Sequence, residues 1–510
     1  MNSFDNAPES KEIKGIRLFL GYIGVFFLLI GVIVLVPLIM LAIYHEETQY
    51  YHHFAVPGLG SIILGLALML LIYKRRKARL QKWQSMLLLI IAWAVTIFVS
   101  SIPFLFDGFN FTDAIFEATS GLSTSAYSVI NDVSTIPHIY LFYRCWLLFV
   151  GGIGLTLILT SAISDSNQLS LYNLEGMNDR LLPNLIKSSR LIFLIYLIYA
   201  AIGTGAYMAC GQNWFNALCF SISAVSTGGY TVISGGISAV TQNAIAFEII
   251  TDVLMLLGAT NFMIHFSIIR GKFKKLFYHC ETICFAVMFV LFVPLYITAM
   301  TSYYQGDAGL GARHGIFLFI STITSTGFCI DPQLDLYLHL PNYLFILLLI
   351  TMVVGGQQGS TSGGIKQIRL VQVAKQIYWY IGSLIKNPHM VRPHTMVKYG
   401  TRENIEVKET RGATAFVFIY IGVLLLGSFA LTCFGNGFGE SLFEFASVLS
   451  TAGHSCTIVL SNHGTQWIGI IGMIIGRLDP IIFITLIGKG ISTLNETISH
   501  KIIERKLENN

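Results

Sequence analysis

Four stretches of the chain decide its fold: FEATSGLSTSAYSVI (Phe116 to Ile130), CFSISAVSTGGYTVI (Cys219 to Ile233), FLFISTITSTGFCID (Phe317 to Asp331) and FEFASVLSTAGHSCT (Phe443 to Thr457). They superpose without gaps. A serine holds the same place in each: Ser120, Ser223, Ser321 and Ser447. Further along, in register, stand Ala126, Gly229, Gly327 and Gly453. Each stretch starts as a half-length apolar segment and ends in small hydroxyl residues. A motif that recurs between pairs of long apolar runs is an internal repeat. The unit reads as span, re-entrant half-helix, polar strand, span.

The spans themselves are plain. A crossing needs about 20 apolar residues. Ten candidates run from Leu18 to Tyr44, Pro57 to Tyr73, Met86 to Phe106, Tyr140 to Ile163, Leu191 to Cys210, Ala244 to Ile268, Ile283 to Met300, Tyr343 to Val354, Ala413 to Cys433 and Trp467 to Leu486. Hydrophobic residues make up 54% of the 510, and charged residues 12%, against about 25% in soluble domains. Mean hydropathy is +0.67. This excludes a cytosolic enzyme, a disordered protein and a nucleic-acid binder. The expected fold is an all-α membrane protein with four pseudo-fourfold repeats around a central pore, plus two extra N-terminal spans. The expected divisions are a tail (1–16), the two extra spans (17–84), repeats at 85–189, 190–278, 279–410 and 411–494, and a second tail (495–510).

Basic residues orient the spans, because positive loops stay in the cytoplasm. Lys11, Lys14 and Arg17 mark the first tail, which carries no cleavable leader pattern. Arg75 to Lys82, Arg180 to Arg190, Arg270 to Lys275, Lys386 to Lys408 and Lys501 to Lys506 mark every second link. The intervening links are nearly free of Lys and Arg, with Arg313 an exception. Both termini are therefore expected in the cytoplasm. The eight cysteines are scattered through or beside apolar runs, which argues against a disulfide framework.

Irregular backbone at membrane depth is tolerated only where it is buried or lines a water-filled path. Four such segments around one axis, rich in hydroxyls and nearly uncharged, suit a ring of carbonyls that replaces the hydration shell of a monovalent cation. Glycine permits the positive φ that turns carbonyls toward an axis. The half-helices would aim their negative dipole ends at the pore. The candidate filter is Ser123, Thr124, Ser125 and Ala126; Ser226, Thr227, Gly228 and Gly229; Thr324, Ser325, Thr326 and Gly327; and Ser450, Thr451, Ala452 and Gly453.

Two further segments stand out. From Asn342 to Gly355 a helix covers about 21 Å of a core about 30 Å thick. It must break inside the membrane, and GGQQGSTSGG is the break. A phosphate loop is excluded by Ile365, where that motif needs Lys, and by the absence of a preceding strand. Glycines that only permit close helix packing are the alternative. Arg477, in GRLD (Gly476 to Asp479), lies near the middle of the last apolar run. A charge there requires a cavity or a partner. Asp479 is a poor partner, because residues two apart on a helix do not share a face. Pro480 should kink the span.

The four filters, GGQQGSTSGGIKQIR (Gly355 to Arg369) and GRLD together resemble the TrkH/TrkG family of Trk-type potassium uptake proteins, in the superfamily that includes KtrB and plant and fungal relatives. The resemblance covers nearly the whole chain. It implies K⁺ as the transported ion and no organic cofactor. It also implies a bacterial inner membrane location, a homodimer with one pore per subunit, and a cytosolic nucleotide-binding gating partner of the TrkA type. It makes the loop with Gly355, Gly356, Gly359, Ser360, Thr361, Gly363 and Gly364 an intramembrane gate. Lys366, Arg369 and Lys375 would mark the exit to the cytoplasm. Arg477 would line the cavity below the filter as a barrier against leak. The basic stretch from Lys386 to Lys408 would dock the regulatory partner.

The chain departs from the family at Ala126, where the first filter lacks its glycine, and at Asp479, where Glu is usual. In plant relatives a non-glycine at the Ala126 place accompanies sodium permeation. Two readings therefore stand: K⁺ selectivity with a tolerated substitution, or a sodium-permeable, weakly selective channel. His454 would add charge at the outer mouth if protonated, or serve as a neutral hydrogen-bonded group. Glu117 and Glu444 occupy equivalent places and are expected to staple half-helices to loops. His279, Cys280, Glu281 and Cys284 cluster without a second ligand pair, so a metal site is not expected. His45, His52 and His53 read as a solvated outer rim. An intramembrane enzyme or carrier is the competing class. No HExxH, no GxSxG and no paired intramembrane carboxylates support an enzyme, and parallel repeats argue against an inverted-repeat carrier.

Overall fold

The computed structural model describes residues 16–70, 82–154, 185–240, 242–330, 341–385 and 394–508. Among these, six helices are long and apolar enough to cross a bilayer, or eight if each of two bent pairs is one span. The basic residues of 71–81, 155–184 and 386–393 lie outside the described residues.

The chain begins with α1 (Ile16–Leu35) and α2 (Tyr51–Met69), an antiparallel pair. Glycines let them touch: a Cβ on Gly31 would lie 2.6 Å from the Gly58 carbonyl, and one on Gly65 2.7 Å from that of Gly24. Glu47, between the two, accepts the backbone N–H groups of His138 and Ile139 at 2.7 and 2.9 Å. This extra pair is thereby tied to the start of a later helix. His53 is buried and meets the Tyr140 hydroxyl at 2.5 Å. It is packed in the protein, in contrast to the solvated rim expected of it.

The next elements are α3 (Lys82–Phe106), α4 (Phe111–Ser123), α5 (His138–Ile153), α6 (Leu185–Ala209), α7 (Trp214–Val225) and α8 (Ala244–Ala259). They are followed by α9 (Phe262–Ile269), α10 (Lys274–Phe277), α11 (Cys280–Tyr303), α12 (Ala308–Ile323), α13 (Asn342–Val353) and α14 (Gln367–Ile385). The strands β1 (Thr395–Lys398) and β2 (Thr401–Asn404) come next. The chain ends with α15 (Val407–Thr432), α16 (Phe438–Ser450), α17 (His463–Leu478) and α18 (Pro480–Glu508).

The four half-helices are α4, α7, α12 and α16, with 13, 12, 16 and 13 residues. At about 1.5 Å per residue none spans the bilayer core. Three start on a side-chain cap: Asn110, Asn213 and Asp307 accept the N–H groups of Asp113, Asn216, and Gly309 with Leu310. Their C-terminal halves are buried throughout.

The helix that follows each half-helix is also short. α5 stops at Gly154, α8 at Thr260, α13 at Val354 and α17 at Asp479. The break after α13 agrees with the length argument, and α17 and α18 meet at 98° beside Pro480. The 107° bend between α8 and α9 was not expected from the sequence, where Ala244 to Ile268 reads as one span. No proline marks it, and Gly258, one residue before the helix ends, is a weak signal inside an apolar run. Tertiary bonds make it: the Gly258 and Ala259 carbonyls accept from Thr361 and Gln357 at 3.2 and 3.0 Å. Asn261 caps α9 by accepting the Met263 N–H at 2.8 Å.

Large apolar residues such as Val290, Leu291, Phe418, Leu426 and Phe429 remain exposed on α11 and α15, as a lipid-facing surface requires. Arg313, the basic exception among the outward links, makes a two-pronged ion pair with Glu248 of α8. The antiparallel β1–β2 hairpin is an addition to the expected all-helical fold. It packs Met396 against Cys280, Ile368 and Ile405 in a small core of its own.

Candidate functional site

Each half-helix ends in the same turn. The second filter residue is left-handed: Thr124, Thr227, Ser325 and Thr451 have φ of 61°, 50°, 52° and 52°. The N–H of the third residue returns to the carbonyl of the repeated serine. Ser125 donates to Ser120 at 3.0 Å, while Gly228, Thr326 and Ala452 donate to Ser223, Ser321 and Ser447 at 2.9 Å. This is a Schellman closure with a hydroxyl residue at the left-handed position. The repeated serines therefore contribute through their backbone carbonyls.

The fourth filter residue is left-handed again, with φ of 55° at Ala126, 78° at Gly229, 87° at Gly327 and 76° at Gly453. These residues sit against the next strand. A Cβ on Gly229 would lie 2.2 Å from the Thr326 carbonyl oxygen, one on Gly327 2.5 Å from that of Ala452, and one on Gly453 2.6 Å from that of Ser125. The contacts run from the second strand to the third, the third to the fourth and the fourth to the first. Ala126 occupies the remaining place and carries a real Cβ.

The residues just beyond the filter brace it. The Tyr127 hydroxyl donates to the His454 carbonyl at 3.0 Å, and Tyr230 donates to the Tyr127 carbonyl at 3.2 Å. Phe328 and His454 fill the two other equivalent places. The His454 ring is buried, and its Nε2 has no hydrogen-bond partner among the described residues. Glu117 accepts from the Ser128 hydroxyl and the Val129 N–H, both at 3.2 Å, and from Arg144 at 2.6 Å. Glu444 accepts from the Ser455 hydroxyl at 2.7 Å and the Cys456 N–H at 2.5 Å. Both carboxylates staple a half-helix to the strand that leaves it.

The segment from Gly355 to Gly364 packs directly against the starts of the candidate filter strands. The Thr361 hydroxyl meets that of Thr227 at 3.0 Å, and the Ser362 hydroxyl meets that of Ser325 at 2.8 Å. The Gly363 N–H donates to Ser325 Oγ at 2.7 Å. Glycine is required where the loop folds on itself and on the filter. A Cβ on Gly355 would lie 1.7 Å from the Gly363 carbonyl oxygen, and one on Gly363 2.3 Å from that of Ser450.

Arg477 binds this loop. Its guanidinium donates to the Thr361 carbonyl at 2.8 Å, to the Gly152 carbonyl at 3.3 Å and to the Gly151 carbonyl. The last two belong to the final turn of α5, whose dipole favours a cation. Asp479 turns away to Arg369 at 2.8 Å, and Arg369 lies 3.6 Å over the Phe416 ring. Lys366 donates to the Ser362 carbonyl.

Residues 58–488 match the TrkH family, described as cation transport proteins. The chain belongs to the TrkH family. An uncharacterised cation transporter of Methanocaldococcus jannaschii is 27% identical over 95% of this chain and 98% of its own length. The Trk system potassium uptake protein TrkH of Halomonas elongata is 26% identical, covering 92% of this chain and 98% of the relative. TrkG of Escherichia coli is 26% identical over 88% and 94%. The crystal structure of the potassium transporter TrkH from Vibrio parahaemolyticus has the same fold, with a TM-score of 0.79 over 92% of this chain and 98% of that one at 23% identity. This TrkH-family chain is a multi-pass membrane transport protein of the cation class.

The structure brings all sixteen sequence-predicted filter residues, the seven loop residues and Arg477 into one connected assembly. Sequence reasoning missed three contributors. Asn261 and the α5 terminus at Gly151 and Gly152 form part of the loop's seat, and Glu281 anchors the loop. Glu281 was noticed only within a candidate metal cluster; its signal was an acidic residue at the very start of a span. A pair of intramembrane carboxylates was also missed: Glu248 and Asp252 stand one turn apart on α8.

Proposed function

We propose that the chain takes up potassium through the four filter strands. The observation that carries this reading is the ring of contacts in which each filter glycine lies against a carbonyl of the next strand. Carbonyls held at such spacing replace the hydration shell of a monovalent cation. The relatives named as potassium uptake proteins support K⁺ as the ion. The membrane potential drives entry, at about 2.3 kcal/mol per charge per 100 mV.

The Gly355–Gly364 loop is the gate. It closes the inner end of the path by bonding to Thr227 and Ser325, and Arg477 adds a fixed positive charge at the same level. Opening requires the loop to leave those hydroxyls. The chain works as a homodimer in a plasma membrane, with both termini in the cytoplasm and a TrkA-type nucleotide-binding subunit controlling the loop. The long cytoplasmic link that ends in the β1–β2 hairpin is the docking element.

Uptake of ⁸⁶Rb⁺ and ²²Na⁺ into proteoliposomes tests the reading, with the purified chain beside Ala126→Gly. Rb⁺ uptake that outcompetes Na⁺ in the unmodified chain is the expected result. Comparable Na⁺ uptake, sharpened toward Rb⁺ by Ala126→Gly, would make the chain a sodium-permeable relative. No flux of either ion, with or without the cytosolic subunit, would overturn the pore reading.

A further inference from the structure

We propose that the β1–β2 hairpin is mechanically linked to the gate loop through Tyr399, His279 and Glu281, so that a force on the hairpin is delivered to the loop at Gln358 and to the helix that follows it at Ile368. The proposal rests on the reading of 355–364 as the gate, and it adds the route by which the cytoplasmic face reaches it.

The route is continuous. Tyr399 stands at the hairpin tip with φ of 50°. Its ring stacks on His279 at 4.7 Å and 15°, and its N–H donates to His279 Nδ1 at 3.2 Å. His279 Nε2 meets Glu281 Oε2 at 2.9 Å. The other carboxylate oxygen, Oε1, accepts the N–H of Gln358 at 2.8 Å and that of Ile368 at 3.0 Å. One oxygen thus clamps the first half of the loop, at Gln358, to the first turn of α14, at Ile368. A second branch runs from the Tyr399 hydroxyl, which accepts from Asn261 at 3.0 Å. The Asn261 N–H donates to Gln357 Oε1 at 3.0 Å.

Burial makes this a rigid path. Glu281 and His279 are 0% and 1% exposed. Charge-assisted bonds in such surroundings are short and directional. The hairpin is held against the start of α11 and the start of α14 by the Met396, Cys280, Ile368 and Ile405 core. Lys375 adds a bond to the Thr395 carbonyl at 2.7 Å. The hairpin cannot shift without moving Tyr399, and Tyr399 cannot shift without breaking its bonds to His279 or Asn261. Glu281 is a positioning residue: it touches the loop and leaves the filter alone.

Backbone hydrogen exchange of residues 355–368 tests the link in the full-length chain in nanodiscs, beside ⁸⁶Rb⁺ flux in proteoliposomes. Glu281→Gln and Tyr399→Ala are each expected to speed exchange in 355–368 roughly tenfold, as loss of a buried bond lowers the cost of local opening. Their combination should add little beyond the larger single effect, because both cut one path. Glu46→Ala, at an exposed place outside the hairpin, the loop and the filter strands, should change nothing. Tyr399→Phe keeps the ring and guards against misfolding; it should give a smaller rise through the Asn261 branch alone. Exchange in 355–368 that stays unchanged in Tyr399→Ala, while Glu281→Gln speeds it, would overturn the link. Faster exchange in both single variants without any change in Rb⁺ flux would support the link and overturn the gate.

Discussion

Ala126 and Gly327 hold equivalent places in the filter and differ by one methyl group. A residue with a Cβ in left-handed backbone costs about 1–2 kcal/mol, and Ala126 carries that strain in the first strand at φ 55°. Gly327 is less forgiving, because a Cβ there would also lie 2.5 Å from the Ala452 carbonyl oxygen. Gly327→Ala is therefore expected to cut Rb⁺ uptake at least roughly tenfold while the protein still elutes as a folded species in size-exclusion chromatography. Uptake within a factor of about two of the unmodified chain would remove the glycine contact from the filter argument. Glu444 gives a second test at this scale. Its carboxylate holds half-buried Ser455 and Cys456 behind the fourth strand and accepts the buried Val459 N–H at 3.4 Å, so Glu444→Leu takes this acceptor away from all three donors. A loss of about 1–3 kcal/mol per unsatisfied group should appear as a lowered melting temperature. Glu444→Gln should fall between the two, because an amide keeps one acceptor oxygen.

The Gly355–Gly364 loop was legible as an element because glycines interrupt a helix too short for the membrane. Its seat was not legible. The α8–α9 bend that receives it is marked in the sequence by no more than Gly258, and its open backbone is held by tertiary bonds from Thr361 and Gln357 and by the Asn261 cap. The same holds for Arg477. The sequence marks a costly intramembrane charge, but its acceptors are carbonyls from α5 and from Thr361, which no side-chain pattern reveals. The four half-helices were legible for the opposite reason: each closes with local bonds to its own repeated serine. The element-scale prediction concerns Gly363. An added Cβ would meet Thr451 Oγ1 at 2.2 Å and the Ser450 carbonyl oxygen at 2.3 Å. Gly363→Ala must push the loop off the filter, so Rb⁺ flux without the cytosolic subunit should rise several-fold. A fall in flux would mean that the loop forms part of the open path instead of blocking it.

At the scale of the molecule, orientation is set by the distribution of Lys and Arg, and Arg313 is the test of that logic. It lies on half-helix α12, on the side the basic pattern assigns to the exterior. Its ion pair with Glu248 cancels its charge within the protein, so it exerts little pull on topology. Two consequences follow from one pair. Removing one partner strands the other charge in a largely buried site. Arg313→Gln should then destabilise the fold by about 3–5 kcal/mol, and the Arg313→Gln, Glu248→Gln double variant should recover most of that. Sidedness should be indifferent to either change. In a background without native cysteines, Lys398→Cys on the hairpin should react with an impermeant maleimide only in inside-out vesicles. Asp132→Cys, in the exposed link after the first filter, should react only in right-side-out cells. Reversal of the two, in the parent or in Arg313→Gln, would place the hairpin on the far side of the membrane from any cytosolic subunit, and neither the docking role nor its link to the gate could stand.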